Sequence, residues 1–430
     1  MKRFTTFLAP LTLALSLVSC GGSSGSSSST DAVFTSIPDD PETENIDESI
    51  EAQKQFVFDV MSDYYLYYDQ MPAINLDDYG TPEAVLAALV VNPPDRFSYI
   101  GDRVAQQNLF EEGTYEGIGY GRVVNDDDTQ TVIYVFDESA AGRACPGSLS
   151  SDSCLQRGDT ILSTSRSGND ITFNVDRNGS LFNTTLAIGI VQINTVLTTT
   201  IQTHNGVDVG YLALSAFLEP TVSELNTAFA ALSGNVDELV LDLRYNGGGR
   251  VSTAQLLASY IAGINGDGSD VTRLEWNDRN TNENSSYPFR TLSNQLDLDR
   301  VYVLTLEGTC SASELVINAM TGIGVDAITI GQTTCGKPVG SVSFNFDDKV
   351  LQPITFSVVN EVGNGDYFDG IEASCFAEDD PARDFSDPTE RMYAGALYHI
   401  ANGTCEFIST RNIEQQARTP FNPDPMANLF

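Results

Sequence analysis

The chain runs to 430 residues, 41% of them hydrophobic, and sets 59 acidic side chains against 22 basic ones, for a formal charge of −37. That length exceeds what one domain usually holds, so two or three domains are expected, with enough apolar residues for real cores. So acidic a chain excludes nucleic acid and anionic membrane surfaces as partners held by bulk electrostatics.

The chain opens on a short basic stretch, MKRF, and an apolar run, LAPLTLALSLV, too short to span a bilayer stably. The run ends in LVSC, which resembles a bacterial lipobox. The resemblance implies a signal peptide over residues 1–19, cleavage before Cys20 and lipidation of its thiol, with that lipid as the only membrane contact. Gly21 in the next position favours the outer membrane, with the protein facing the periplasm. A Ser/Gly-rich acidic tether follows over residues 20–45.

Residues 46–114 read as a helical segment. ESIEAQKQFVFDVMSDYYLYY has the apolar spacing of a helix, and TPEAVLAALV opens with a Thr cap and a Pro in the first turn. Residues 115–200 change texture to short alternating strands: YEGIGYGRVV, QTVIYVF, LQRGDTILS and ITFNVDR. EGIGYG followed by LQRGDTIL resembles a PDZ domain. That likeness implies that the loop amides of Gly117, Ile118 and Gly119 hold the terminal carboxylate of a peptide added as a strand. Over residues 201–430 strand and helix alternate, as in VGYLALSAF, TVSELNTAFAALS, DELVLDLR and VSTAQLLASYIAG, which predicts an α/β layer with a mostly parallel sheet.

Three loops follow three of these strands, where the active groups of parallel sheets collect. YNGGG follows LVLDLR, EGTCSASE follows VYVLTL, and GQTTCGKPVG follows AITI. Ser311 begins SASELVINAM, which reads as a capping box with Glu314 at the third helical position. The same place offers a hydroxyl free amides and the positive end of a helix dipole, which also suit a developing oxyanion. A serine nucleophile needs a base. Of the two histidines, His204 falls in a turn and His399 in a terminal helix, neither in a loop at the carboxyl end of a strand. Arginine stays protonated. Lys337 is one of four lysines and sits among Gly, Cys, Pro and Val, neighbours that would desolvate its ammonium and lower its pKa. GQTTCGKP also fits a phosphate-loop spacing, but Pro338 brings neither hydroxyl nor amide hydrogen.

Taken together, DLRYNGGG, SASE ahead of a helix, and GK after the next strand resemble the C-terminal processing (tail-specific) peptidase family, and the likeness extends from the helical segment to the end of the chain. It implies a multidomain α+β protein: an N-terminal helical segment, a PDZ-like β-rich domain, and an α/β (crotonase/ClpP-like) catalytic core. It implies a serine endopeptidase with a Ser–Lys dyad, needing no metal or organic cofactor, that acts on proteins or peptides with free C-termini. Carried over residue by residue, the nucleophile falls on Ser311 and the base on Lys337. The oxyanion amides fall on Ala312 and on Gly248 or Gly249. Two departures stand out. The spacing from Ser311 to Lys337 is slightly longer than is usual in the family. Ser341 holds the place of a glutamine that orients the lysine, which keeps open the alternative of a catalytically degenerate PDZ-containing peptide-binding lipoprotein.

With Cys20 lipidated, six of the 7 cysteines remain, and an even count in an exported chain suggests disulfides. Order along the chain suggests Cys145–Cys154, Cys310–Cys335 and Cys375–Cys405, although sequence alone does not choose among the pairings. If Ser311 and Lys337 meet as the resemblance implies, a Cys310–Cys335 bond would clamp their two loops in register.

Overall fold

The computed structural model describes residues 49–143 and 154–406. The expected signal peptide, Cys20 and the tether lie outside the described residues, as does Cys145 of the expected Cys145–Cys154 pair.

Two helices open the described chain. Ile50–Tyr64 is capped by Ser49, whose hydroxyl accepts from the N–H of Ala52 at 3.3 Å. Pro82–Leu89 is capped by Thr81, which accepts from Ala84 at 3.2 Å. Both caps are the residue types that satisfy orphan amides at a helix start. The apolar faces of these helices do not form a core alone. Val57, Met61, Leu86, Leu89 and Phe97 pack with Phe344, Leu351 and Ile354, so the N-terminal segment shares its core with strands that lie far along the chain. Strand Tyr99–Asp102 completes the union by pairing antiparallel with Lys349–Gln352.

A five-stranded antiparallel sheet follows, in the order Tyr120–Val124, Gln130–Val135, Thr160–Ser167, Asp170–Arg177, Ser180–Ala187. Its core is Ile118, Val132, Ile161, Phe173, Val175 and Leu186. Among the described residues the first strand has a neighbour on one side only.

The largest sheet has six strands, in the order Cys375–Phe376, Asp326–Gly331, Arg300–Thr305, Glu238–Asp242, Val207–Leu214, Val196–His204. All neighbours run parallel except the last pair, a hairpin. That hairpin turns at Asn205 and Gly206, both at positive φ as its tight turn demands. Strand ELVLD is buried at every position because helices cover both faces of the sheet. Thr221–Leu232, Val251–Ala262 and Ala312–Gly322 pack on one face, and Arg391–Asn402 on the other. A second, antiparallel sheet of four strands, including Val339–Ser341 and Ile354–Val359, carries the chain onward from the GQTTCGKPVG loop. The sheets as a whole are thus mixed, and the parallel character is confined to the six-stranded layer.

Candidate active site

The three loops singled out in the sequence lie at the carboxyl ends of three adjacent parallel strands, and hydrogen bonds join them. Cys310 N–H donates to the carbonyl of Asn246 at 3.1 Å, and Cys335 N–H donates to that of Thr309 at 3.0 Å. Ser313 hydroxyl donates to the carbonyl of Asn246 at 2.9 Å, and Thr309 hydroxyl to that of Leu243 at 2.9 Å. Cys310 and Cys335 form a disulfide with their α-carbons 5.2 Å apart, and Cys375 pairs with Cys405. Both pairings were anticipated from their order along the chain.

Ser311 is half-buried and caps helix Ala312–Gly322. Its φ of 56° lies in the left-handed region, which a side chain with a β-carbon rarely occupies. This backbone lies at the bend where the loop after strand Arg300–Thr305 enters the helix. Gly248 allows the close approach on the other side. It sits at φ 108°, and a β-carbon there would stand 2.8 Å from Cβ of Ser311 and 3.1 Å from the N of Ala312. The N–H of Gly248 itself donates to Oδ1 of Asn246 at 2.9 Å. At Gly249, φ is 138°, and a β-carbon would meet the carbonyl of Phe217 at 2.2 Å.

Glu314 is the group whose role the sequence concealed. It is fully buried, and its carboxylate accepts four hydrogen bonds: from Ser311 N–H and Lys337 N–H at 2.8 Å each, Gly336 N–H at 2.7 Å and Thr334 hydroxyl at 2.5 Å. One oxygen, Oε2, bridges the backbone of Ser311 to that of Lys337. Burial pushes the Glu314 carboxyl up, against the pull of these donors. The only sequence signal was its third-position spacing in the capping box. Its other partners arrive from a loop twenty residues onward, which no local pattern can announce. The sulfurs of Cys310 and Cys335 also lie within 4.8 Å of this carboxylate. They are bonded to one another and its oxygens are filled by donors, so the cluster works as a clamp.

The side chain of Lys337 keeps some contact with solvent, yet protein surrounds its ammonium closely. Desolvation brings it down to about 8, with the charges of Asp95 and Glu314 acting in the opposite direction. Ser341 turns its hydroxyl to Oε1 of Gln352 at 2.9 Å, and Gln352 in turn donates to Ser343 at 2.6 Å. His204 and His399 lie behind the sheet, against Tyr393 and Tyr302 respectively.

In the β-rich region, Gly117 pairs with Gly189, and the carbonyls of Ile118 and Gly119 accept from Ala141 and Phe136 at 3.0 and 2.9 Å. The Gly119 N–H faces the hydroxyl of Tyr115. Val123 and Val124, on the open-edged first strand of the sheet, are exposed.

Fold and loops together are those of a serine-type peptidase. Residues 208–372 match the model of Peptidase family S41, and residues 52–99 match that of the Peptidase S41 N-terminal domain. Both matched segments are those of peptidase family S41, as the likeness to the C-terminal processing peptidases implied. Among solved structures it is similar to an S41 protease from Bacteroides fragilis, at 25% identity and a TM-score of 0.68, over 81% of this chain and 97% of that one. It also aligns with a photosystem II D1 C-terminal processing protease at 18% identity and a TM-score of 0.49, over 77% and 94% of the two chains. With mature CPAF complexed with lactacystin the figures are 11%, 0.48, 82% and 97%.

Proposed function

We propose that this chain is a lipid-anchored serine endopeptidase of the bacterial envelope, held at Cys20 on the outer membrane and facing the periplasm, that cleaves proteins or peptides through a Ser311–Lys337 dyad. The observation that carries the reading is the shared fastening of the two loops: one disulfide and one carboxylate join the hydroxyl-bearing residue to the lysine. Ser311 Oγ attacks the scissile carbonyl while neutral Lys337 takes its proton. The oxyanion that forms is met by the N–H of Ala312, at the start of its helix, and by a glycine-loop amide. Because the Gly248 N–H is already engaged by Asn246, Gly249 is the better candidate for that second amide. The protonated lysine then gives its proton to the leaving amine, and the acyl-enzyme is released by water activated by the same lysine.

The PDZ-like region takes the substrate's free C-terminus. Support comes from the open edge of strand Tyr120–Val124, which can receive an added strand, beside the loop of Gly117, Ile118 and Gly119. A carboxylate there would draw the Gly119 amide from Tyr115. Ser311→Ala and Lys337→Ala should each abolish cleavage of peptides with free, apolar C-termini, measured by product mass. Retention of near-normal rates by Lys337→Ala would overturn the dyad. Peptide binding without cleavage by the unaltered chain would favour the degenerate binding lipoprotein instead.

A further inference from the structure

The base loop leans on a segment that belongs to none of the three active loops. Residues 95–98, beyond helix Pro82–Leu89 in the N-terminal segment, form a turn fixed by Asp95, which is 1% exposed. Its carboxylate accepts from Phe97 N–H at 2.7 Å, from Ser98 N–H at 3.0 Å and from the Ser98 hydroxyl at 2.5 Å. The turn aims its neighbours at the base. The Arg96 guanidinium donates to the carbonyl of Cys335 at 2.5 Å, two residues before Lys337. The ring centroid of Phe97 lies 5.3 Å from Nζ of Lys337, within the range of a cation–π contact.

We propose that the turn fixed by Asp95 positions Lys337 through Arg96 and Phe97, so that the N-terminal segment is a working part of the peptidase machinery. The proposal rests on the Ser311–Lys337 reading. Its chemistry is simple. A general base must shed its proton before it can accept one from serine, so its neighbours decide the pH at which the site becomes competent. Asp95 and Glu314 both favour the ammonium, while desolvation, the largest effect, opposes it. The face of Phe97 also favours the ammonium. Around Asp95 stand the hydroxyls of Tyr65 and Tyr67, both kept protonated by burial and by Asp95, and Tyr67 also feels Asp366. Arg96 is the cation on this turn, directed at Cys335.

Removing the Asp95 charge must therefore lower the pKa of Lys337 and let the base work at more acidic pH. In the full chain, Asp95→Asn should move the acid limb of kcat/KM down by about 0.5–1 pH unit, the order expected for losing one nearby opposite charge. Asp95→Glu, which keeps the charge, should leave the limb near its original place. Phe97→Leu should move it in the same direction as Asp95→Asn, by less. Arg96→Gln should lower kcat roughly tenfold with KM little changed, as expected for a misplaced group rather than lost binding. An unmoved acid limb in both Asp95→Asn and Phe97→Leu, whether or not their melting temperatures fall, would reduce the turn to a structural prop and overturn the inference. Ser311→Ala and Lys337→Ala, run in the same assay, separate the two failures. Activity in either of them sinks the dyad, whereas silence in both beside an unmoved limb sinks only the role of the turn.

Discussion

Ser311 and Lys337 show how much chemistry one buried carboxylate can organise. Glu314 holds both residues by their backbone amides, leaving both side chains free to react. Glu314→Gln would replace one acceptor oxygen by an NH2 group that faces two donors, whichever way the amide is turned. Each charge-assisted bond lost at a buried site costs about 1.5–3 kcal/mol. The variant should therefore be less stable by about 2–4 kcal/mol in urea denaturation, and its kcat should fall at least tenfold. The lysine makes a separate prediction. Only its neutral form can take the serine proton, and burial places its pKa at about 8. Activity should rise with pH through an acid limb centred near that value, and a limb near pH 6 would rule the lysine out as the base. That Ser311, Lys337 and Ala312 lie on loops and a helix start joined to one another was legible, because residue type and order along the chain carry it. The backbone of Ser311 at φ 56° and the four partners of Glu314 were not, since strain and long-range bonds leave no mark on spacing.

The elements that place the site divide in the same way. Strands such as ELVLD and RVYVLT were legible as continuous apolar runs between helices with a 3.6-residue period, so the parallel layer and the three loops at its carboxyl edge could be read directly. Phe344–Phe346 and Lys349–Gln352 could not be, because three- and four-residue runs gain strand identity only from a partner. For the second of them that partner is Tyr99–Asp102, from the far end of the chain. Between these scales lies the disulfide. Cys310 and Cys335, 25 residues apart in sequence, join the end of one loop to the middle of the next. Closing a loop of that length in the unfolded chain is worth about 3 kcal/mol. The double variant Cys310→Ala/Cys335→Ala should lose about that much stability in a calorimetric scan. Its kcat should also fall, since Glu314 and the bond from Cys335 N–H to the Thr309 carbonyl would then be left to hold the two loops in register.

Across the whole molecule, one arginine ties together parts that the sequence presents as separate. Arg244 ends the DLR stretch before the glycine loop and is 1% exposed. It meets Asp242 at the end of the preceding strand, Asp379 at 2.8 Å, and Glu390 through two bonds of 2.8 and 2.9 Å. Glu390 also caps the last helix by accepting from Tyr393 N–H at 2.9 Å. Asp379 reaches onward to Tyr245 and to Arg157, which comes from the β-rich region. The sheet, the C-terminal segment and the β-rich region are thus fastened through charges withdrawn from water. Composition predicted several domains, but it could not show that they share a polar core, because an arginine in a sequence reads as surface until its partners are known. Such a network is costly to break from one side. Arg244→Met would leave Asp242 and Glu390 buried without a cation, and removing one partner of a buried pair typically costs about 3–5 kcal/mol. The variant should show that loss in chemical denaturation, and part of it should return in the triple change Arg244→Met/Asp242→Asn/Glu390→Gln, where no carboxylate on that strand or helix cap is left uncompensated. Equal stability of the single and triple variants would mean that the arginine acts through its packing volume and not through its charge.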